Sequence, residues 1–258
     1  MTTGGGSSTG AGSQDRAGED SKLDRSVTGV DRLTSMALPL KELLTRVAGY
    51  AVHAIPGADG AGLTLIEAGH ADTIVATADF VTDVDDIQYG LGDGPCIMAA
   101  REGRTVISRS LRDETRWGTF GAQVADLGVH SVVSLPLRIG DDVFGAMNVY
   151  AHALDAFDER SAELGEAFAV PAAIAVQHAQ VLEQTRRLAE QLQAGLTTRM
   201  VVEQAIGVLI GSDSLDVEQA RLRLEGLSEE RGEPVGVVAR ALVDEAVLRA
   251  GGRGATDR

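Results

Sequence analysis

Six arginines near the carboxy terminus, Arg199, Arg221, Arg223, Arg231, Arg240 and Arg249, are side chains of a type that can hold phosphate. A guanidinium carries a permanent charge and presents paired donors in one plane. Their surroundings are acidic, however. Residues 197–250 contain six arginines, no lysine and ten carboxylates, a balance of −4. Phosphate contacts dominate nucleic-acid affinity, so such a segment binds only if its arginines converge on one face.

The remaining reactive side chains argue against catalysis and metal binding. Asp85–Asp86 and Asp141–Asp142 are adjacent pairs that point in different directions on a helix or strand, which suits solvated turns better than a shared acid/base site. His53, His70, His130, His152 and His178 are scattered, with no pair at ligand spacing and no cysteine cluster. No metal, cofactor or catalytic residue is expected. Cys96 is the single cysteine; it excludes an internal disulfide and fits a reducing compartment. Without a following histidine, a buried small thiol is a better reading of it than a chromophore attachment. Trp117 and Phe120 would either stack on a ligand or base, or anchor a helix before Ser131. The "GLGDG" loop lacks the Lys-Ser/Thr of a phosphate-binding loop.

These residues are positioned by a chain of 258 residues, 44% hydrophobic and 24% charged, with a net charge of −15. That is room for about two domains, and the charge opposes nonspecific adhesion to nucleic acid or anionic membrane. Apolar runs are too short for a membrane span and the amino terminus lacks the apolar core of a secretory signal, so a cytoplasmic protein is expected. Residues 1–28, rich in Gly, Ser, Thr and charge, read as a disordered tail. Leu33, Met36, Leu40, Leu43, Leu44 and Val47 predict helix, broken at Pro39. Gly62–Ile66 and Thr73–Thr77 predict a hairpin turning at Glu67–Gly69, followed by a loop. Gly90, Gly92 and Gly94 shape a turn, Pro95 opens a short helix ending near Gly103, and Thr105–Ile107 is a strand. Ser131–Ala151 predicts a second hairpin turning at Gly140–Asp141, and helical periodicity resumes at Asp158.

In the tail, Val201, Val202, Ala205, Val208 and Leu209 form one apolar stripe. Asp216 is a candidate N-cap for a second helix ending at Gly232, and Pro234 opens a third helix carrying Val235, Val238, Leu242 and Val243. Between the two regions, Ile174, Val181 and Leu188 recur every seven residues, with His178, Thr185 and Leu192 at the alternate positions. This is either a short parallel coiled coil or a helix packed on its own sheet.

"LGDGPC" (Leu91–Cys96), "SVVSLPL" and "GAMNVYA", in this order of elements, resemble a GAF domain over residues 30–180. Such domains resemble PAS domains, with an antiparallel sheet, helices on one face and a ligand pocket or lid on the other. The signature of cyclic-nucleotide GAF domains is not evident. In "TTRMVVEQAIGVLIG" (Thr197–Gly211), Arg199, Glu203, Ala205 and Gly207 resemble the first helix of an ANTAR domain. Ala220 and Leu224 match its second helix, and Val238–Ala239 its third. Ile206 stands where the family usually has a basic or amide residue, and Arg221 where it has an aromatic.

The resemblance implies an α+β chain: a PAS-like GAF sensor, a helical linker at 174–196 and a three-helix ANTAR bundle at 197–250, of the actinobacterial antiterminator type. It also implies a non-enzymatic regulator that binds RNA hairpins in nascent mRNA through Arg199, Arg221, Arg223 and Arg240. Ala205, Gly207, Ala220 and Ala239 would serve packing. An unidentified small-molecule or protein signal would act at the GAF domain of a homodimer, with no membrane partner. The alternative is a ligand sensor or dimeric scaffold whose tail binds a protein and not RNA.

Overall fold

Period-two alternation along the strands sorts the first part of the molecule into layers. The computed structural model describes residues 9–36, 38–67 and 70–253. It divides into two compact units, Met1–Glu183 and Gln184–Arg258.

The first unit runs α1 (Thr9–Thr34), α2 (Leu40–Ala54), β1 (Gly60–Glu67), β2 (His70–Ala76), α3 (Asp79–Leu91), α4 (Pro95–Glu102), β3 (Val106–Ser108), α5 (Phe120–Asp126), β4 (Ser131–Ile139) and β5 (Asp142–Ala151), then the start of α6 (Glu159–Asp213). The strands form one antiparallel sheet in the order β2-β1-β5-β4-β3. Leu63, Leu65, Val133, Leu135, Met147 and Val149 point to one face and pack with α1, α2 and α6. Their alternates Thr64, Val132, Ser134, Asn148 and Tyr150 are also buried, on the face that α3, α4 and α5 cover. Both faces of the sheet are therefore covered, one apolar and one largely polar.

Local chemistry explains most boundaries. Pro39 precedes α2, where a missing N–H costs nothing. Gly92 closes α3 and Gly103 closes α4, both left-handed, and Pro95 occupies the first turn of α4. Gly140, at φ 60°, turns the β4–β5 hairpin. Asp158 caps α6, its Oδ1 accepting from the Ser161 amide at 2.9 Å.

The second unit contains the rest of α6, α7 (Val217–Arg231) and α8 (Val235–Arg253). Val201, Ala205, Ile206, Leu209, Ala220, Leu224, Val238 and Ala239 make its core. α6 stops at Ser214, whose positive φ of 55° no helix continues. Asp216 and Gln219 cap α7 reciprocally, with bonds of 2.8 and 3.1 Å, and left-handed Gly232 ends it.

Three expectations require correction. Residues 9–28, read as disordered tail, lie in α1. Ser26, Val30 and Leu33 are buried there, and α1 packs on α2, so sparse apolar residues at one helical face suffice once a partner helix exists. The loop after β2 is helix α3, with Val81, Val84, Asp85 and Gln88 buried at helical spacing. β3 lies one residue later than predicted. Ala68 and Gly69 of the predicted first turn fall outside the described residues.

Asp216→Ala should destabilise the second unit by about 1 kcal/mol, the usual cost of a lost N-cap. Urea denaturation followed by helical circular dichroism reads this directly, and an unchanged midpoint would show that the box contributes nothing.

Candidate functional site

The polar face of the sheet builds a closed nest. Thr64 on β1, Ser134 on β4 and Asn148 and Tyr150 on β5 present side chains that water cannot reach. α3 lowers Asp85 and Gln88 onto them, and α4 brings Cys96. Asp85 Oδ1 accepts from the Tyr150 hydroxyl at 2.7 Å and, at a long 3.4 Å, from Asn148 Nδ2. Thr64 Oγ1 and the Tyr89 hydroxyl are 2.5 Å apart. Gln88 Oε1 accepts the Cys96 amide at 2.9 Å, which ties the end of α3 to the start of α4 across the glycine loop.

Glycines make this geometry possible. A Cβ on Gly62 would meet Asp85 Oδ2 at 2.9 Å, and one on Gly94 would overlap the Gln88 side chain. Gly94 also sits at φ 150°, which side chains rarely adopt. Thus "LGDGPC" is a sequence that lets a buried glutamine fold back over a helix start.

The nest is incompletely satisfied. Gln88 Nε2, Ser134 Oγ and Asn148 Oδ1 are buried and have no partner among the described residues. Leaving such a group unpaired costs roughly 1–3 kcal/mol. Ser134 and Asn148 are direct cross-strand neighbours. A floor of unused donors and acceptors beneath two short helices is the chemistry of a small polar ligand or of ordered water.

Cys96 is held as a thiol. Burial pushes its pKa up to about 12 from an ordinary 9.0, and the Asp85 carboxylate adds to the rise; hydrogen bonding from Thr64, Asn148 and Tyr89 offsets part of it. Burial and Asp85 likewise raise the Tyr150 phenol, which stays a donor. Neither group is a nucleophile at neutral pH.

Several side chains resolve differently from their sequence reading. Asp85 is not in a solvated turn: it is fully buried on α3, while Asp86 is exposed. Trp117 and Phe120 meet edge-on at 6.0 Å in the core beneath α5. With Arg116 4.3 Å over the indole, Trp117 is an anchor and not a stacking platform. Among the described residues no group of three or more His, Cys, Asp or Glu side chains could hold a metal ion.

In the second unit the four candidate arginines are all exposed but not equivalent. Arg199 pairs with Glu203 at 3.0 Å, and Arg223 stands 4.0 Å from Glu230. Arg221 and Arg223 lie on opposite flanks of α7, since two residues advance a helix by about 200°. Arg240 borders a cavity of about 500 Å³ together with Thr198, Pro234 and Gly236. Ala205, Ala220 and Ala239 are fully buried packing residues, as read from the sequence. Gly207 is not: a Cβ there would meet nothing within 4 Å. Ile206 is a core residue, which accounts for the missing polar group.

Residues 37–177 match the GAF domain family and residues 190–243 the ANTAR domain. The chain belongs to the GAF family. It is a GAF-coupled ANTAR regulator, and both modules are regulatory domains. Similar solved structures include the GAF domains of phosphoenolpyruvate-protein phosphotransferases from Coxiella burnetii and Acinetobacter. The first is 14% identical at a TM-score of 0.50, covering 63% of this chain and 97% of that one. The second is 13% identical at 0.50, covering 64% and 97%. A free methionine-R-sulfoxide reductase from Neisseria meningitidis is 16% identical at 0.49, covering 70% and 99%. At such identities the two phosphotransferase domains show the fold alone. No curated protein matches the chain. Among the described residues no helix is long and apolar enough to cross a membrane.

The Cys96 shift fixes a pH dependence. Between pH 9 and 12 the unfolded chain loses the thiol proton and the folded GAF domain keeps it, so stability falls as pH rises through this window. Denaturation midpoints of the unaltered protein should drop there more steeply than those of Cys96→Ala. Parallel slopes would show that the thiol titrates normally.

Proposed function

We propose that this GAF–ANTAR regulator is a cytoplasmic antiterminator that binds hairpins in nascent mRNA through its carboxy-terminal bundle. The observation that carries the reading is the fit between motif and core. Ala205, Ala220, Leu224, Val238 and Ala239, the positions that resemble the ANTAR pattern, form one buried cluster. A packing signature reproduced in three separate helices supports the family's role in this chain. The exposed arginines then divide by availability. Arg221 and Arg240 have no carboxylate partner among the described residues, whereas Arg199 and Arg223 must exchange one for phosphate. Arg240 and Arg221 are therefore the first phosphate contacts, and Arg199 a second.

The GAF unit acts as sensor, with a small-molecule or protein signal. Its output passes through a homodimer. On α6, Ala172, Ala173, Val176 and Ala179 pack on the sheet, while Val170, Ile174, Val181, Leu188 and Leu192 are each more than half exposed. These five fall within about 40° of one another at 100° per residue, and the exposed Leu182, Leu196 and Met200 widen the apolar face to about 120°. Such a face is the seam of a parallel helix pair, and a second copy of the chain supplies an identical one. The sheet-packed helix and the seam are compatible because they use different faces.

A protein partner in place of RNA draws support from the exposed Val217, Leu222 and Val237 beside the acidic balance of the tail. A two-hairpin RNA library decides between them. Selective enrichment over a scrambled single-stranded pool, falling steeply with salt, is expected. Arg240→Ala and Arg199→Ala together should weaken binding about tenfold or more and flatten the salt dependence. Absence of enrichment by a folded protein would favour the protein partner.

For the dimer, light scattering of the full chain should give twice the monomer mass, and Ile174→Asp with Leu188→Asp should halve it. A monomeric unaltered chain would end the coupling scheme.

A further inference from the structure

A second cavity lies on the other side of the sensor unit from the nest, between α1 and α2. Lys22, Arg25, Ser26 and Gly29 recur along one face of α1, and Arg46, Gly49, Tyr50 and His53 repeat the same spacing on α2. Where these faces meet, above the turn at Ile55–Pro56, is a cavity of about 950 Å³. Three of its lining residues, Lys22, Arg25 and Ser26, come from α1, which ends before the GAF family match begins at residue 37.

Its chemistry is unlike the rest of the molecule. In a chain of net charge −15, the walls hold Lys22, Arg25, Arg46 and His53 and no carboxylate. Most arginines of this unit are neutralised: Arg109 by Glu159, Arg112 by Asp126, Arg116 by Glu114. Lys22 makes no ion pair among the described residues, and the only bond of Arg25 there is to the Ser21 carbonyl at 3.2 Å. On α1, Glu19 and Asp20 are engaged by Arg160, and Asp24, next to Arg25, does not line the cavity. Arg46 is shared with Glu42 at 2.7 Å. Ser26 is 3% exposed, lines the cavity and has no side-chain partner among the described residues. Lys22 and Arg25 are themselves exposed, so an anion there exchanges water for two charge-assisted bonds and a third from the Ser26 hydroxyl.

The opposite wall is apolar. Val52, Ile55 and Pro56 line it, and the Tyr50 ring lies on the α1 backbone because Gly29 has no Cβ to hold it away. Gly49 leaves the hollow open: a Cβ there would meet nothing within 4 Å.

We propose that this cavity binds a small organic anion. Its carboxylate or phosphate head sits between Lys22 and Arg25 with Ser26 donating, and its apolar body lies on Tyr50, Val52, Ile55 and Pro56. Occupancy ties α1 to α2. The inference is independent of the RNA reading and of the polar nest. A volume near 950 Å³ is at the upper end of small-molecule sites.

The test uses the full chain and two fluorescent dyes, the anionic anilinonaphthalene sulfonate and the neutral phenylnaphthylamine. The anionic dye should bind saturably. Lys22→Gln with Arg25→Gln should weaken it about tenfold or more and leave the neutral dye nearly unchanged, because only charge-assisted bonds are removed. Gly49→Leu fills the hollow, improves helix propensity and should abolish both signals with circular dichroism intact. Competition by phenyl phosphate and by benzoate identifies which head group is preferred. Saturable binding unaffected by Gly49→Leu, or no saturable binding of the anionic dye, would overturn the assignment. Equal weakening of both dyes by the charge-removing pair would overturn its anionic character.

Discussion

A sheet buried on both faces must satisfy from within every polar side chain it presents, and this constraint organises the sensor unit. On one face β1, β4 and β5 carry Leu, Val and Met, which need only to be covered. On the other they carry Thr64, Ser134, Asn148 and Tyr150, whose partners must come from the protein or from a guest. Asp85 is the main supplier. Its carboxylate takes the Tyr150 hydroxyl and reaches Asn148, and it adds to the burial that keeps the neighbouring thiol and phenol protonated. α3 is held by this carboxylate and Gln88 together with Val81 and Val84 in the apolar cluster beside them, and the Gln88–Cys96 bond joins it to α4.

The same accounting separates two kinds of opening in one domain. The nest under α3 and α4 is closed, polar and short of partners, a place where a small neutral polar guest or water would complete existing bonds. The α1–α2 cavity is open, cationic and half apolar, lined by α1, outside the GAF match, and by α2 and the turn after it, inside it. One unit thus holds two chemically distinct openings, on opposite faces of a single sheet. α6 meets the apolar face of that sheet through Ala172, Ala173 and Val176. A guest proposed for either opening would bear on the sheet that α6 packs against.

Legibility followed the range of the interaction. Gly92, Gly94, Pro95, Gly103, Gly140, Asp216, Gly232 and Pro234 act within a turn or a cap, and their roles were readable because backbone sterics and capping bonds are local. The period-seven stripe on α6 was readable for the same reason. α3 was missed because its inward face carries Asp85 and Gln88 between valines, which masks the helical pattern of apolar residues that sequence reading relies on. α1 was missed because its composition is that of a soluble tail; only α2 makes its few apolar residues sufficient.

By itself the sequence determined the order of the strands, the two-module organisation, the packing role of Ala205, Ala220 and Ala239, and the acidic balance around the candidate arginines. Tertiary structure decided which charges are free. Arg199 and Glu203 neutralise each other one turn apart, while Arg240 and Lys22 stand without carboxylate partners among the described residues. It also decided that Asp85 is buried and Asp86 is not. Charge is a property of the residue, but availability depends on what folds beside it: desolvation and pairing are set by neighbours dozens of residues away, as in Asp85 and Tyr150.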